Sequence, residues 1–331
     1  MKMLKTIIII SLFLLTLFEC GSRCFYKYTY SAFNIIRPNF MDLIYPELKK
    51  VNHHDGSCSV LILGESVTES SLFSKLLKYK LGDCFCTDVS IDNLSKYANT
   101  VIDSYYKYSK IKKHYDYVIM SVGLCDCRMH YNPYPLLSDS YYFSWEYIKK
   151  KIFITHHESS LIVTPMTLHL LIYWINYSLR NYGKYERKGR IDTTQYHFGK
   201  TTKDNFVFSF NVDKIISLAK SKNEKLIIVP INICIAEGYT ENKFVNGLLD
   251  YGDKTEYPAE IYGDPENLEA IMSTNKKVMK QKESKNVYVK DVNIPCNGNY
   301  FRDVCHLSEK GMEVFTSDIT DLICKEKRAI Y

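Results

Sequence analysis

The run Val60-Leu61-Ile62-Leu63 stops at Gly64, and a serine, Ser66, follows two residues later. Four apolar residues closed by a glycine read as a buried strand. Beyond them the spacing of Leu72, Phe73, Leu76 and Leu77 predicts a helix over 70–81, closed by Gly82. Ser66 is thereby assigned to a strand-to-helix turn, at the carboxyl end of a strand. Main-chain N–H groups near a helix start can stabilise an oxyanion developing there. The place suits a nucleophile, and it equally suits a helix cap, the commonest work of Ser after a strand.

The other end of the chain bears on that choice. Asp303-Val304-Cys305-His306 puts a carboxylate three residues before an imidazole, ahead of a helix with Ser308 as its cap and Met312, Phe315, Ile319, Leu322 and Ile323 on one face. A carboxylate at that spacing can fix the ring's tautomer and stabilise the imidazolium formed when the ring takes a proton. Ser66, Asp303 and His306 together make a candidate nucleophile, orienting acid and base.

With both ends read, the chain resembles the SGNH, or GDSL-like, hydrolase superfamily. Gly64-Glu65-Ser66-Val67-Thr68 is similar to the family's first block, usually Gly-Asp-Ser, and Asp303-x-x-His306-Leu-Ser-x-x-Gly311 to its last. Asp116 to Asp126 is similar to the third block, a buried strand ending in Gly-x-Asn-Asp. The resemblance covers residues 58–128 and 224–325. It implies a three-layer α/β/α sandwich around a mainly parallel sheet, flavodoxin-like in outline, with Ser66, Asp303 and His306 catalytic. It also implies an oxyanion and substrate-binding set of Ala98, Asn99, Gly123, Cys125 and Asp126.

Two positions depart from the pattern. The family's third-block Asn, whose amide donates to the oxyanion, is Cys125 here, with only a weak S–H donor. Asn93 or Asn99 could supply that amide from another loop. The second block's Gly aligns with Ala98, which keeps the N–H and loses only backbone freedom. Loss of one oxyanion donor costs on the order of 10²–10³ in rate, which slows an esterase without abolishing it.

The wider sequence fits an α/β domain. Strands are expected at 59–63, 86–91, 116–122, 226–234 and 287–290, mostly as uninterrupted apolar runs, with helices near 99–111 and 211–222. Runs of that kind separated by helices indicate a parallel sheet covered on both faces, with ligands beyond the carboxyl ends of its strands. Residues 129–210 read as an insertion that either shapes a substrate pocket or forms a peripheral helical subdomain, and 236–267 as an irregular surface loop. The expected organisation is 1–22 leader or anchor, 23–57 extension, and 58–325 hydrolase domain.

Lys2 and Lys5 precede an uncharged apolar run from Thr6 to Phe18, which suits a signal-peptide core or an N-terminal anchor. Export follows, and 11 cysteines are compatible with it. A bridge between Cys296 and Cys305 would brace the loop carrying Asp303. No Cys-x-x-Cys zinc spacing occurs, and His53-His54 and His156-His157 have no matching acidic or Cys partners, so no metal and no cofactor is expected. The formal charge of +6 is moderate. Its clusters at 107–113 and 184–190 lack any nucleic-acid module and read as solvated faces.

The resemblance implies a serine esterase that removes O-acetyl or other O-acyl groups from a carbohydrate or other small ester; no nucleic-acid partner is expected, and the N-terminal run leaves membrane attachment there open. Two alternatives stay open: an O-acyltransferase, and a catalytically idle domain that binds glycan or scaffolds a surface assembly.

Overall fold

The computed structural model describes residues 2–31, 45–51, 58–85, 87–97, 99–127, 206–252, 257–262 and 265–328. The chain divides into two compact units, one of Met1–Pro46 with Ser138–Arg190, the other of Glu47–Leu137 with Ile191–Tyr331. Ala98, both His pairs, the cluster at 184–190 and most of the expected insertion lie outside the described residues.

In the first unit, helix α1 (Lys2–Ser31) continues well past the expected leader boundary at 22. Its uncharged stretch from Thr6 to Phe18 amounts to about 20 Å of helix at 1.5 Å per residue, against a hydrocarbon core of about 30 Å. Among the described residues no helix is long and apolar enough to cross a membrane.

The second unit is built on five parallel strands in the order β2-β1-β3-β4-β5: β1 (Cys58–Gly64), β2 (Val89–Asn93), β3 (Tyr117–Ser121), β4 (Lys225–Ile228) and β5 (Val287–Val289). Every residue of β1 and β3 is buried, as central strands covered on both faces must be. The short helix α2 (Ser66–Glu69) leaves β1 directly, and α3 (Ser71–Phe85) follows. Helix α4 (Val101–Lys110) precedes β3, and α5 (Leu124–Cys127) leaves it. Next come α6 (Phe206–Ser221), α7 (Glu241–Val245), α8 (Pro265–Lys280) and α9 (Glu309–Arg328). Helices α3 and α9 pack together, with Phe73 and Phe315 ring centroids 5.6 Å apart, while α4, α6 and α8 form the other layer. Right-handed crossovers put α3 on the face opposite α4, α6 and α8.

Several boundaries differ from expectation for identifiable reasons. Strand β4 ends at Ile228 because Pro230 has no N–H to continue the ladder. Strand β2 runs to Asn93, since polar residues at its carboxyl end still pair with β1. Gly82 is carried inside α3 and does not close it. Helix α6 begins at Phe206, and α8 occupies ground that extends beyond the irregular loop.

The cysteine pairing also departs from expectation. Cys296 bonds Cys234, and Cys84 bonds Cys324, while Cys305 is a buried free thiol. The Cys234–Cys296 bond braces the final loop as anticipated for Cys296–Cys305, but from the segment after β4. The lysine run near 107–113 is solvated only in part: Lys112 is exposed, but Lys107 and Lys113 turn inward. Lys107 is fully buried, ion-paired with Glu47 and donating to the Leu94 carbonyl at 2.7 Å, and Lys113 pairs with Asp92 at 3.1 Å.

Candidate active site

Strand β1 delivers Ser66 to the carboxyl edge of the sheet. The backbone of Gly64 is enclosed there: a Cβ on it would lie 2.2 Å from Thr68 Oγ1 and 2.8 Å from the Ser121 carbonyl oxygen. Only glycine lets β1 run that close to β3 before the turn. Ser66 then opens α2, half-buried, with its Oγ 2.9 Å from His306 Nε2.

His306 comes from a loop tied down at many points. Arg302 N donates to the His306 carbonyl at 2.8 Å, Cys234 N donates to the Val304 carbonyl at 2.8 Å, and the Cys234–Cys296 bond closes the same region. Ser308 Oγ accepts from Gly311 N at 3.1 Å and so caps α9. A Cβ on Gly311 would meet the Tyr300 carbonyl oxygen at 2.1 Å, so this helix start can dock on the loop only with glycine there.

Within that loop Asp303 Oδ2 lies 2.7 Å from His306 Nδ1, while its Oδ1 accepts from the main-chain N–H groups of Cys305 (2.9 Å) and His306 (2.8 Å). A carboxylate held by three donors cannot swing away. It places the ring hydrogen on Nδ1 and leaves the Nε2 lone pair facing Ser66 Oγ. Burial opposes the charged ring, and Cys305 and Asp303 favour it, with the net result that the His306 pKa lies above its ordinary 6.5. Burial pushes the Cys305 thiol above its ordinary range, against the lowering effect of His306.

A general base works deprotonated, so kcat/KM for ester hydrolysis should rise with pH and reach half its plateau above pH 6.5. Asp303→Asn should move that midpoint downward. A wild-type midpoint at or below 6.5 in a pH–rate profile would remove Asp303 as the charged partner.

The other residues singled out from sequence have defined places. Asn93 Nδ2 donates to the Thr68 carbonyl (2.7 Å) and to Ser74 Oγ (2.9 Å), which commits both amide hydrogens away from Ser66. Asn99 is buried, with its Nδ2 3.3 Å from the Gly64 carbonyl oxygen, beside the Ser66 turn. Gly123 takes φ +124°, Cys125 hydrogen-bonds the Glu65 carboxylate, and Asp126 accepts from Val101 N at 3.2 and 3.1 Å. Ala98 lies outside the described residues.

Two features escaped the sequence reading. The Tyr257 ring lies against His306 with centroids 4.9 Å apart, and nothing in its tyrosine-rich surroundings distinguished it. Glu65 is buried beneath the Ser66 turn, and its three acceptor contacts require knowledge of the β1–β3 pairing. Asp303, Cys305 and His306 bring potential metal-ligand atoms within 4.8 Å of one another. The Asp303–His306 pair of that group is hydrogen-bonded at 2.7 Å.

No protein-family model and no curated protein sequence matches the chain. Among solved structures, it is similar to a lipase/acylhydrolase from Enterococcus faecalis, with 13% identity, a TM-score of 0.41, and coverage of 81% of this chain and 96% of the other. It is also similar to the acetyl xylan esterase AlAXEase, at 12% identity and TM-score 0.41, covering 80% of this chain and 99% of that one. A catalytic mutant of an acetylxylan esterase from Geobacillus stearothermophilus aligns at 11% identity and TM-score 0.43, over 81% of this chain and 94% of that one.

Proposed function

We propose that the protein is an SGNH-like serine esterase acting on an O-acetylated or otherwise O-acylated carbohydrate outside the cytosol. One observation carries the reading: a continuous hydrogen-bonded line from Ser66 Oγ through His306 to Asp303, with links of 2.9 and 2.7 Å. Ser66 Oγ attacks the ester carbonyl as His306 Nε2 takes its proton. The ring then returns that proton to the leaving alcohol, and an acyl-Ser66 ester remains. Water, deprotonated by the same nitrogen, attacks the acyl group and frees Ser66. The N–H of Ser66, in the first turn of α2 and without an intrahelical partner, is one donor for the oxyanion, and that of Ala98 is the other.

The carbohydrate substrate rests on the sequence resemblance. Export is supported by the basic residues ahead of the apolar N-terminal run and by the Cys84–Cys324 and Cys234–Cys296 bonds, which belong to an oxidising compartment. Reaction of whole cells with a fluorophosphonate probe tests both parts. Labelling of Ser66, in a secreted or membrane fraction with both disulfides intact by mass spectrometry, is the expected result. A folded protein that takes no probe and hydrolyses no acyl ester is a binding or scaffold domain. A reduced, cytosolic labelled form would overturn export alone.

A further inference from the structure

Glu65 immediately precedes the nucleophile and is 1% exposed. It is the N-cap residue of α2 but makes no side-chain cap there. Its carboxylate turns instead to the neighbouring strand's exit. Oε1 accepts from Gly123 N at 2.7 Å and Leu124 N at 3.0 Å, and Oε2 accepts from Cys125 N at 2.8 Å. The Cys125 side chain hydrogen-bonds the same carboxylate.

The strand register explains how one side chain can do this. Gly64 and Ser121 are paired residues of β1 and β3, so the two chains leave the sheet side by side. The positive φ of Gly123 then turns successive N–H groups back toward β1, and Asn275 Nδ2 fixes the same glycine's carbonyl oxygen at 3.0 Å. A buried carboxylate facing three main-chain donors makes charge-assisted bonds that no neutral side chain of its size reproduces.

We propose that Glu65 is a positioning residue for the esterase reaction: its carboxylate locks the turn after β3 to the turn bearing Ser66 and so fixes the wall against which the acyl group is presented. The proposal rests on the esterase reading above. Burial pushes Glu65 up to about 7 against the lowering effect of its hydrogen bonds. Burial and the Glu65 charge raise its neighbour Asp126 well above the usual carboxylate range, with Asp103 adding to the effect. The measurements below are made at pH 8, above the Glu65 value.

The test compares wild type, Glu65→Gln and Glu65→Asp at pH 8 on a short-chain acyl ester, with thermal midpoints and the rate of fluorophosphonate labelling of Ser66. Gln keeps the shape but turns an NH₂ group toward an N–H, and Asp keeps the charge but loses reach by one methylene. Both variants should fold, keep KM within about threefold, and lose kcat and labelling rate by about 10²-fold, the size of effect that a misplacement of about 1 Å produces. Wild-type kcat in either folded variant overturns the proposal. So does a loss of kcat matched by an equal rise in KM, or by collapse of the thermal midpoint in both, because Glu65 is then a packing residue. These results leave the esterase reading intact. A wild-type protein that neither labels nor turns over removes that reading and this proposal with it.

Discussion

Ser66→Ala is expected to lower kcat on a short-chain acyl ester by about 10⁴–10⁶, and His306→Ala by a similar factor. The double variant should be little worse than either single one, because Ser66 Oγ is a useful nucleophile only while Nε2, 2.9 Å away, can take its proton. Asp303→Ala should retain more activity, since the carboxylate orients the ring and never reacts. Substantial hydrolysis by Ser66→Ala, measured with active-site titration to exclude contaminating enzyme, would end the assignment. Losses that multiply in the double variant would show that the two side chains act separately.

The largest effect on stability is expected at Lys107. Its ammonium group is wholly enclosed, paired with the buried Glu47 and bonded to the Leu94 carbonyl. Lys107→Ala leaves Glu47 buried without its cation, and breaking a buried pair from one side costs about 3–5 kcal/mol. The double variant Lys107→Met with Glu47→Gln removes both charges and should lose much less. Urea unfolding at unchanged m-value gives both numbers. A loss below about 1 kcal/mol for Lys107→Ala would mean that Glu47 reaches water in its absence.

The parts of this site that are legible in the sequence are those set by neighbours along the chain. The apolar run ending at Gly64 gives a strand, and the helical spacing after Ser66 fixes the turn between them. Asp303 and His306 are three residues apart, so the loop's own hydrogen bonds can orient one upon the other. Pro230 was also available as the stop of β4, and Leu268, Ile271, Met272 and Met279 carry the helical period of α8.

Features that depend on distant segments could not be read this way. Glu65 finds its donors through the β1–β3 register, at separations of 58 to 60 residues. Cys296 has a plausible partner nearby in Cys305, yet the bond is made to Cys234, which only the packing of the segment after β4 brings within reach. Lys107 looks like part of a basic surface run, and the acid that buries it lies in a turn before β1. Charge and spacing along the chain give no hint of that pairing.

The bond between Cys84 and Cys324 closes a loop with a sequence separation of 240, equal to the separation of Ser66 and His306. Ser66 lies on the amino-terminal side of that loop, and His306 lies inside it near its far end. A single cut by a protease anywhere between Cys84 and His306 would therefore divide the polypeptide into one fragment with Ser66 and one with His306, still covalently joined. Two-chain forms can thus retain Ser66 and His306 in one molecule, held by a sulfur bridge between two helices in place of an unbroken backbone.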